Sequence, residues 1–98
     1  MKNLEYKDLL ILIDKYIEEL LSYNEFEEKF YIFFEKEIPI KSEYQEFVWE
    51  IEDRVAFSAE NPNQEDRSYG YINTNEFRKW LSDYKKTHIK LWNKESNL

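Results

Sequence analysis

Chain-breaking residues are scarce in this sequence, and their scarcity restricts the chain to helices. The 98 residues include one glycine and two prolines. Apolar residues recur at three- and four-residue spacing, which places them on one stripe of a helix rather than on alternate faces of a strand. Aromatic residues make up 18% of the chain. An all-α fold with an aromatic core is therefore predicted.

Four helices follow from these stripes and from the signals that start a helix. The first covers about residues 4–22, the second about 24–37, and the third about 43–58; the fourth runs from about 73 to 94. Asn24, Ser42 and Asn73 each precede a Glu or Gln by three positions, which is the pattern of reciprocal helix capping. The second helix is expected to stop before Pro39, because the residue preceding a proline avoids the helical conformation.

The core of this fold is predicted from the side chains that share each stripe. They are Leu9, Leu10, Ile13, Tyr16, Ile17, Leu20 and Leu21, then Phe26, Phe30, Phe33 and Phe34, then Tyr44, Phe47, Val48, Ile51 and Val55, and finally Phe77, Trp80, Leu81, Tyr84 and Leu91. Trp49 and Phe57 are expected at the edge of the third stripe, and Trp92 beside the fourth.

Residues 59–72 interrupt the helical pattern and contain Pro62 and Gly70. The prediction is a small antiparallel four-helix bundle with a long acidic loop between helices 3 and 4, forming a single domain over residues 1–98. Long loops within compact domains are uncommon and often functional. The alternative is a plain connector held down by Tyr69 and Tyr71.

Negative charge is concentrated in one part of the chain. Residues 35–66 carry ten carboxylates against three basic side chains, whereas residues 67–98 have a net charge of +4 and the whole chain one of −7. An anionic surface repels nucleic acid and attracts basic protein clefts through long-range steering. A cationic protein partner is therefore expected, with no direct binding of nucleic acid.

The third helix carries the most ordered set of acidic residues. Glu43, Glu46, Glu50 and Asp53 recur at three- and four-residue steps opposite the apolar stripe. Each pair of like charges at that spacing destabilises an isolated helix by a few tenths of a kcal/mol, and a basic partner would relieve this repulsion. The alternative is an outer face that serves only solubility.

Catalytic and cofactor sites are not indicated. The chain has no cysteine and a single histidine, His88, on or near the apolar stripe of helix 4. One histidine cannot supply the paired Glu-x-x-His motifs of dimetal bundles, and no nucleophile can be paired with it. No phosphate-binding glycine loop is present, and the longest apolar run is too short to cross a bilayer. A non-enzymatic protein without cofactor, metal or membrane span is predicted.

The segment from the end of helix 3 into helix 4 resembles a known family. It reads Phe57-Ser-Ala-Glu-Asn-Pro, then Asp66-Arg67-Ser-Tyr69-Gly-Tyr71-Ile72, then Glu76-Phe77-Arg78, and is similar to bacterial self-protective immunity proteins of the colicin D immunity type. The resemblance implies a helical bundle that blocks a cognate nuclease toxin, often a tRNase, of a colicin or contact-dependent inhibition system. It also implies inhibitory contacts at Glu52, Asp53, Glu60, Glu65 and Asp66.

The sequence thus favours a cytoplasmic immunity protein, a monomer that covers the basic cleft of its toxin in a 1:1 complex. The predicted toxin-binding residues are Glu46, Glu50, Glu52, Asp53, Glu60, Glu65, Asp66, Tyr69 and Tyr71. Two alternatives stay open: a helical adaptor or regulatory module that uses exposed aromatics such as Trp49 and Trp92, and an acidic mimic of nucleic acid aimed at a DNA-binding protein.

Overall fold

The structure is a computed structural model that describes residues 6–35 and 42–96, and most of them are helical. The elements are α1 (Tyr6–Ile17), α2 (Tyr23–Glu35), α3 (Ser42–Ala56), β1 (Ser58–Ala59), α4 (Gln64–Ser68), β2 (Ile72–Asn73), α5 (Thr74–Thr87) and α6 (Ile89–Ser96). Helix α1 packs against α2, α5 and α6, while α3 packs against α5. The prediction of a helical fold is confirmed.

An aromatic core lies between these helices, with Tyr16 among its fully buried members. The Tyr16 ring lies 4.8 Å from that of Phe26 and 5.7 Å from that of Phe77. Its hydroxyl donates a hydrogen bond to the carbonyl of Thr74 at 3.1 Å, which ties α1 to the start of α5. Burial raises the pKa of Tyr16. The phenol is therefore a neutral donor inside the core.

Helix α1 ends earlier than predicted, at Ile17 instead of about residue 22. The N–H of Glu19 bonds to the carbonyl of Tyr16, and the N–H of Leu20 reaches back to the carbonyl of Lys15. Together with a φ of 63° at Glu19, these bonds form a Schellman termination. Leu20 follows that termination and is 67% exposed, so its predicted place in the core is wrong.

Helix α2 begins at Tyr23, because its capping pair lies two residues earlier in the sequence than predicted. Ser22, rather than Asn24, forms the capping pair: its hydroxyl accepts from the N–H of Glu25, and the Glu25 carboxylate accepts from the N–H of Ser22, both at 3.2 Å. Phe26 and Phe30 are buried as predicted, but Phe34 is 36% exposed because it lies at the solvent edge of α2. The predicted end of helix 2 near residue 37 and the side chains of residues 42 and 43 lie outside the described residues.

The predicted fourth helix is two helices, α5 and α6, separated at His88. The start of α5 is as predicted, since Asn73 and Glu76 cap each other. At its end, the hydroxyl of Thr87 donates to the carbonyl of Tyr84 at 2.8 Å and the His88 ring nitrogen lies 3.0 Å from the same oxygen. The same carbonyl also accepts from the backbone N–H of His88 at 3.2 Å, so the side chains supplement the backbone hydrogen bonds of that turn.

The segment between α3 and α5 is more ordered than the predicted loop. Strands β1 and β2 pair in parallel, with Ser58 beside Ile72. Between them lies α4, whose start is capped by Asn63 and Asp66 through reciprocal hydrogen bonds of 2.7 and 3.0 Å. Gly70 follows with a φ of 96°, a conformation that residues with a side chain rarely adopt. The strand pair closes the segment at its base.

Candidate functional site

An open groove of about 850 Å³ follows the outer face of α3. Four of the predicted toxin-binding carboxylates line it, and two aromatic rings join them. The described lining residues are Phe34, Gln45, Glu46, Trp49, Glu50, Glu52 and Asp53. Trp49 is 52% exposed and Phe34 is 36% exposed, so a partner could reach both rings. We refer to this surface as the α3 groove.

The α3 groove holds negative charge without a compensating cation among its described lining residues. Glu46, Glu50 and Asp53 are exposed and follow one another at four- and three-residue steps, so their charges repel along one face. The neighbouring Arg54 offers no compensation inside the groove, because its guanidinium lies over the ring of Trp80, 5.3 Å from the centroid. An arrangement of this kind favours a cationic ligand.

The dipole of helix α3 adds to the repulsion between these carboxylates. Asp53 lies in the last turn of the helix, which ends at Ala56. The C-terminal end of a helix carries partial negative charge, so a carboxylate there costs about 0.3–1 kcal/mol where a cation would be stabilising. The acidic residues of α4 differ, since Glu65 and Asp66 occupy its first turn. Carboxylates at that position stabilise a helix.

Two tyrosines lie at the borders of the groove. The hydroxyl of Tyr31 in α2 is 3.4 Å from a carboxylate oxygen of Glu52. Burial raises the pKa of Tyr31, and the Glu52 charge raises it further. On the α5 side, burial raises the pKa of Tyr84, with Glu50 and Glu46 as further causes. Burial first, and the carboxylates of the groove second, thus keep both phenols protonated.

The remaining predicted residues form a second group on the segment between β1 and β2. Glu60, Glu65 and Tyr69 are exposed there, with Tyr69 at 69%. Asp66 accepts the capping hydrogen bond from the N–H of Asn63 and is only partly exposed. Tyr71 is half-buried, with its ring 5.3 Å from that of Phe57. Asp66 and Tyr71 therefore support the segment itself.

The structure brings four predicted residues together in the α3 groove and leaves five on the β1–β2 segment. No described residue after Asp53 lines the groove. Sequence reasoning missed Phe34 and Gln45 as lining residues and placed Trp49 only at the edge of the apolar stripe. The spacing does carry a signal for Trp49, because it follows Glu46 by three residues and precedes Asp53 by four, which puts it on the acidic face. Phe34 reaches the groove through tertiary packing.

Within residues 6–35 and 42–96, no group of three or more His, Cys, Asp or Glu side chains is arranged to hold a metal ion. Among the same residues, no helix is both long and apolar enough to span a bilayer. The His88 ring is tilted by 37° against that of Tyr84, with 4.2 Å between ring centroids, and packs against Phe47.

Comparison with models of protein families, with curated proteins and with solved structures finds no match to this chain.

Proposed function

We propose that this protein is an immunity protein that binds and neutralises a cognate nuclease toxin, a tRNase, without catalysing a reaction. The α3 groove and the exposed acidic residues Glu60 and Glu65 would lie over the basic cleft in which the toxin holds its RNA. The protein would act in the cytoplasm, as a monomer in a 1:1 complex. Occupation of the cleft would exclude the RNA substrate both sterically and electrostatically.

The observation that carries this proposal is the α3 groove: four carboxylates around an exposed tryptophan, with no cation among the described lining residues. Cations of a basic cleft could pair with the carboxylates, and a guanidinium could also stack on Trp49. Binding would remove the repulsion within α3 and the unfavourable charge at its C-terminal end. The same groups in a purely solubilising surface would require no exposed aromatic ring.

We also propose the finer architecture predicted from sequence: α1, α2, α3 and α5 form an antiparallel four-helix bundle, and α6 continues in the direction of α5. The short turn between α1 and α2 and the packing of α1 on both α2 and α5 support this arrangement. The bundle would hold α3 at the surface, with its acidic face outward.

The direct test is tRNA cleavage by the C-terminal domain encoded immediately upstream of this gene, where the proposal places the toxin, with and without one equivalent of this protein. We expect stoichiometric loss of cleavage. The double variant Glu46→Lys/Glu50→Lys should inhibit at least about tenfold less well, because it places cations opposite a basic cleft. Trp49→Ala should weaken inhibition by about tenfold if the ring is a buried anchor.

A matched control separates the groove from overall charge. Glu18→Lys/Glu28→Lys changes the net charge by the same amount at two exposed positions outside the α3 groove. We expect this variant to inhibit as well as the wild type. Undiminished cleavage with the wild-type protein would reject the proposal. Equal loss of inhibition in both double variants would reject the role of the groove.

The adaptor hypothesis remains the second candidate, and the exposure of Trp49 and Phe34 favours it. Trp92 no longer supports it, because that ring is 9% exposed and its N–H donates to Asp14 at 3.0 Å. An adaptor that binds through the two aromatic rings would keep its affinity as ionic strength rises, whereas an electrostatic inhibitor would lose association rate.

A further inference from the structure

A second groove, of about 350 Å³, lies between α1 and α2. It shares no described lining residue with the α3 groove. Five apolar side chains line it, together with Asp8, Lys15 and Lys29. The apolar ones are Ile11, Leu12, Leu21, Ile32 and Phe33. We refer to it as the α1–α2 groove.

The apolar wall of the α1–α2 groove is open to a partner. Ile11 is 42% exposed and Ile32 is 44% exposed, so one branched side chain from each helix presents apolar surface. Scattered exposed apolar residues are ordinary, but apolar side chains gathered in one groove with a polar rim are typical of interaction sites. The walls are helices whose backbone groups bond within the helix, so the groove presents no strand edge to an extended peptide.

The charge at the rim is opposite to that of the molecule. Lys15 and Lys29 are exposed, and within the described residues neither ammonium forms an ion pair. Asp8 also lines the groove, about two helical turns before Lys15 on α1. Lys29 also interacts electrostatically with Glu25, one turn earlier in α2. In a chain with a net charge of −7, these two cations beside apolar side chains favour a ligand that is apolar and acidic.

We propose that the α1–α2 groove binds an acidic amphipathic helix of a protein other than the toxin. Apolar side chains at three- and four-residue spacing would enter between Ile11 and Ile32, and flanking carboxylates would pair with Lys15 and Lys29. A basic toxin cleft is the wrong partner for this rim. The inference goes beyond the proposed function, because the two grooves use different residues and can fail separately.

The probe is a fluorescently labelled peptide of about 18 residues, with Leu at helical spacing on one face and Glu on the other, because shorter peptides form little helix. A second peptide has Lys in place of every Glu. We expect the full-length protein to bind the Glu peptide and not the Lys peptide, with affinity falling as salt is raised. Fluorescence anisotropy measures both.

Variants locate the binding surface. Ile32→Glu should weaken Glu-peptide binding by about tenfold or more, because it places a carboxylate in the apolar groove. Lys15→Glu/Lys29→Glu should weaken it to a similar degree through lost complementarity. Lys79→Glu, at an exposed position of α5 outside the groove, should bind like the wild type. Far-UV circular dichroism shows whether each variant remains helical.

Several results would overturn this inference: equal binding of the two peptides, binding of neither, or binding that Ile32→Glu leaves unchanged. Binding to phosphatidylserine vesicles without binding to the Glu peptide would assign the surface to an anionic membrane instead. A dimer in sedimentation that Ile32→Glu dissociates would assign it to a second copy of the chain. Inhibition of the nuclease by the Ile32→Glu variant reports separately on the proposed function.

Discussion

At the scale of single residues, Glu19 carries an unusual backbone conformation. Among the described residues it is the non-glycine residue with a positive φ, 63°, at the end of α1. This left-handed conformation costs a residue with a Cβ about 1 kcal/mol or more in conformational free energy, whereas glycine adopts it readily. The Glu19 carboxylate also lies 3.6 Å from Arg78, but at 73% exposure this ion pair contributes little.

Glu19→Gly and Glu19→Ala separate the two effects. Both lose the ion pair with Arg78, and only glycine relieves the backbone. We expect Glu19→Gly to exceed Glu19→Ala by about 1 kcal/mol in free energy of unfolding. Urea denaturation measures the difference. Equal stabilities for the two variants would contradict the Schellman geometry at this position.

Asp14 joins three helices through its side chain. One carboxylate oxygen accepts from the ammonium of Lys85 at 2.7 Å and from the indole N–H of Trp92 at 3.0 Å. This role could not be predicted from the sequence, because both partners are more than 70 residues away in the chain. We expect Asp14→Ala to lower the free energy of unfolding by about 1–3 kcal/mol, since hydrogen bonds to charged groups are worth that much.

Asp83 provides the matched control for Asp14. Its carboxylate is 64% exposed and lies 4.0 Å from Lys86 within the same helix. Asp83→Ala should change stability by less than about 0.5 kcal/mol. An Asp14→Ala variant as stable as Asp83→Ala would show that Asp14 does not hold α1 to α5 and α6.

At the scale of elements, α3 was the helix most fully predictable from sequence. Its inward face of Tyr44, Phe47, Val48, Ile51 and Val55 is buried as the spacing predicts. The groove beside it was not predictable, because Phe34 comes from α2 and depends on how two helices pack. The order in the β1–β2 segment was also missed, although Asn63 followed by Asp66 fits a capping signal in a stretch without apolar periodicity.

Asp53 tests whether α3 keeps unfavourable charge for the sake of binding. Asp53→Lys would follow Glu50 by three residues and place a cation in the last turn. We expect this variant to be more stable than the wild type by about 0.5–1 kcal/mol and to inhibit the toxin less well. The control variant Glu28→Lys, at an exposed position of α2, should not combine a gain of stability with a loss of inhibition. Urea denaturation and the cleavage assay measure the two properties, and a gain of stability without loss of inhibition would remove Asp53 from the interface.

At the scale of the whole molecule, composition and periodicity were enough to predict a helical chain with an aromatic core and an anionic region. They overestimated the continuity of the helices. Helix α1 is shorter than its apolar stripe because Glu19 terminates it, and the last helix divides at His88, whose backbone N–H bonds to the carbonyls of both Tyr84 and Lys85. Such terminations depend on individual hydrogen bonds rather than on the repeat of apolar residues. The position of the acidic residues, by contrast, depends mainly on which face of α3 is apolar.

Electrostatic binding at the α3 groove is the centre of the proposed function, and the most direct measurement is the association rate with the proposed nuclease domain as a function of ionic strength. Trp49 lies in the groove and is 52% exposed, so stopped-flow tryptophan fluorescence can follow binding. Between low and high salt we expect the rate to fall by about tenfold or more. The Glu46→Lys/Glu50→Lys variant should associate slowly, with a much weaker dependence on salt. A wild-type rate that is independent of salt, or equal to that of the double variant, would contradict the account.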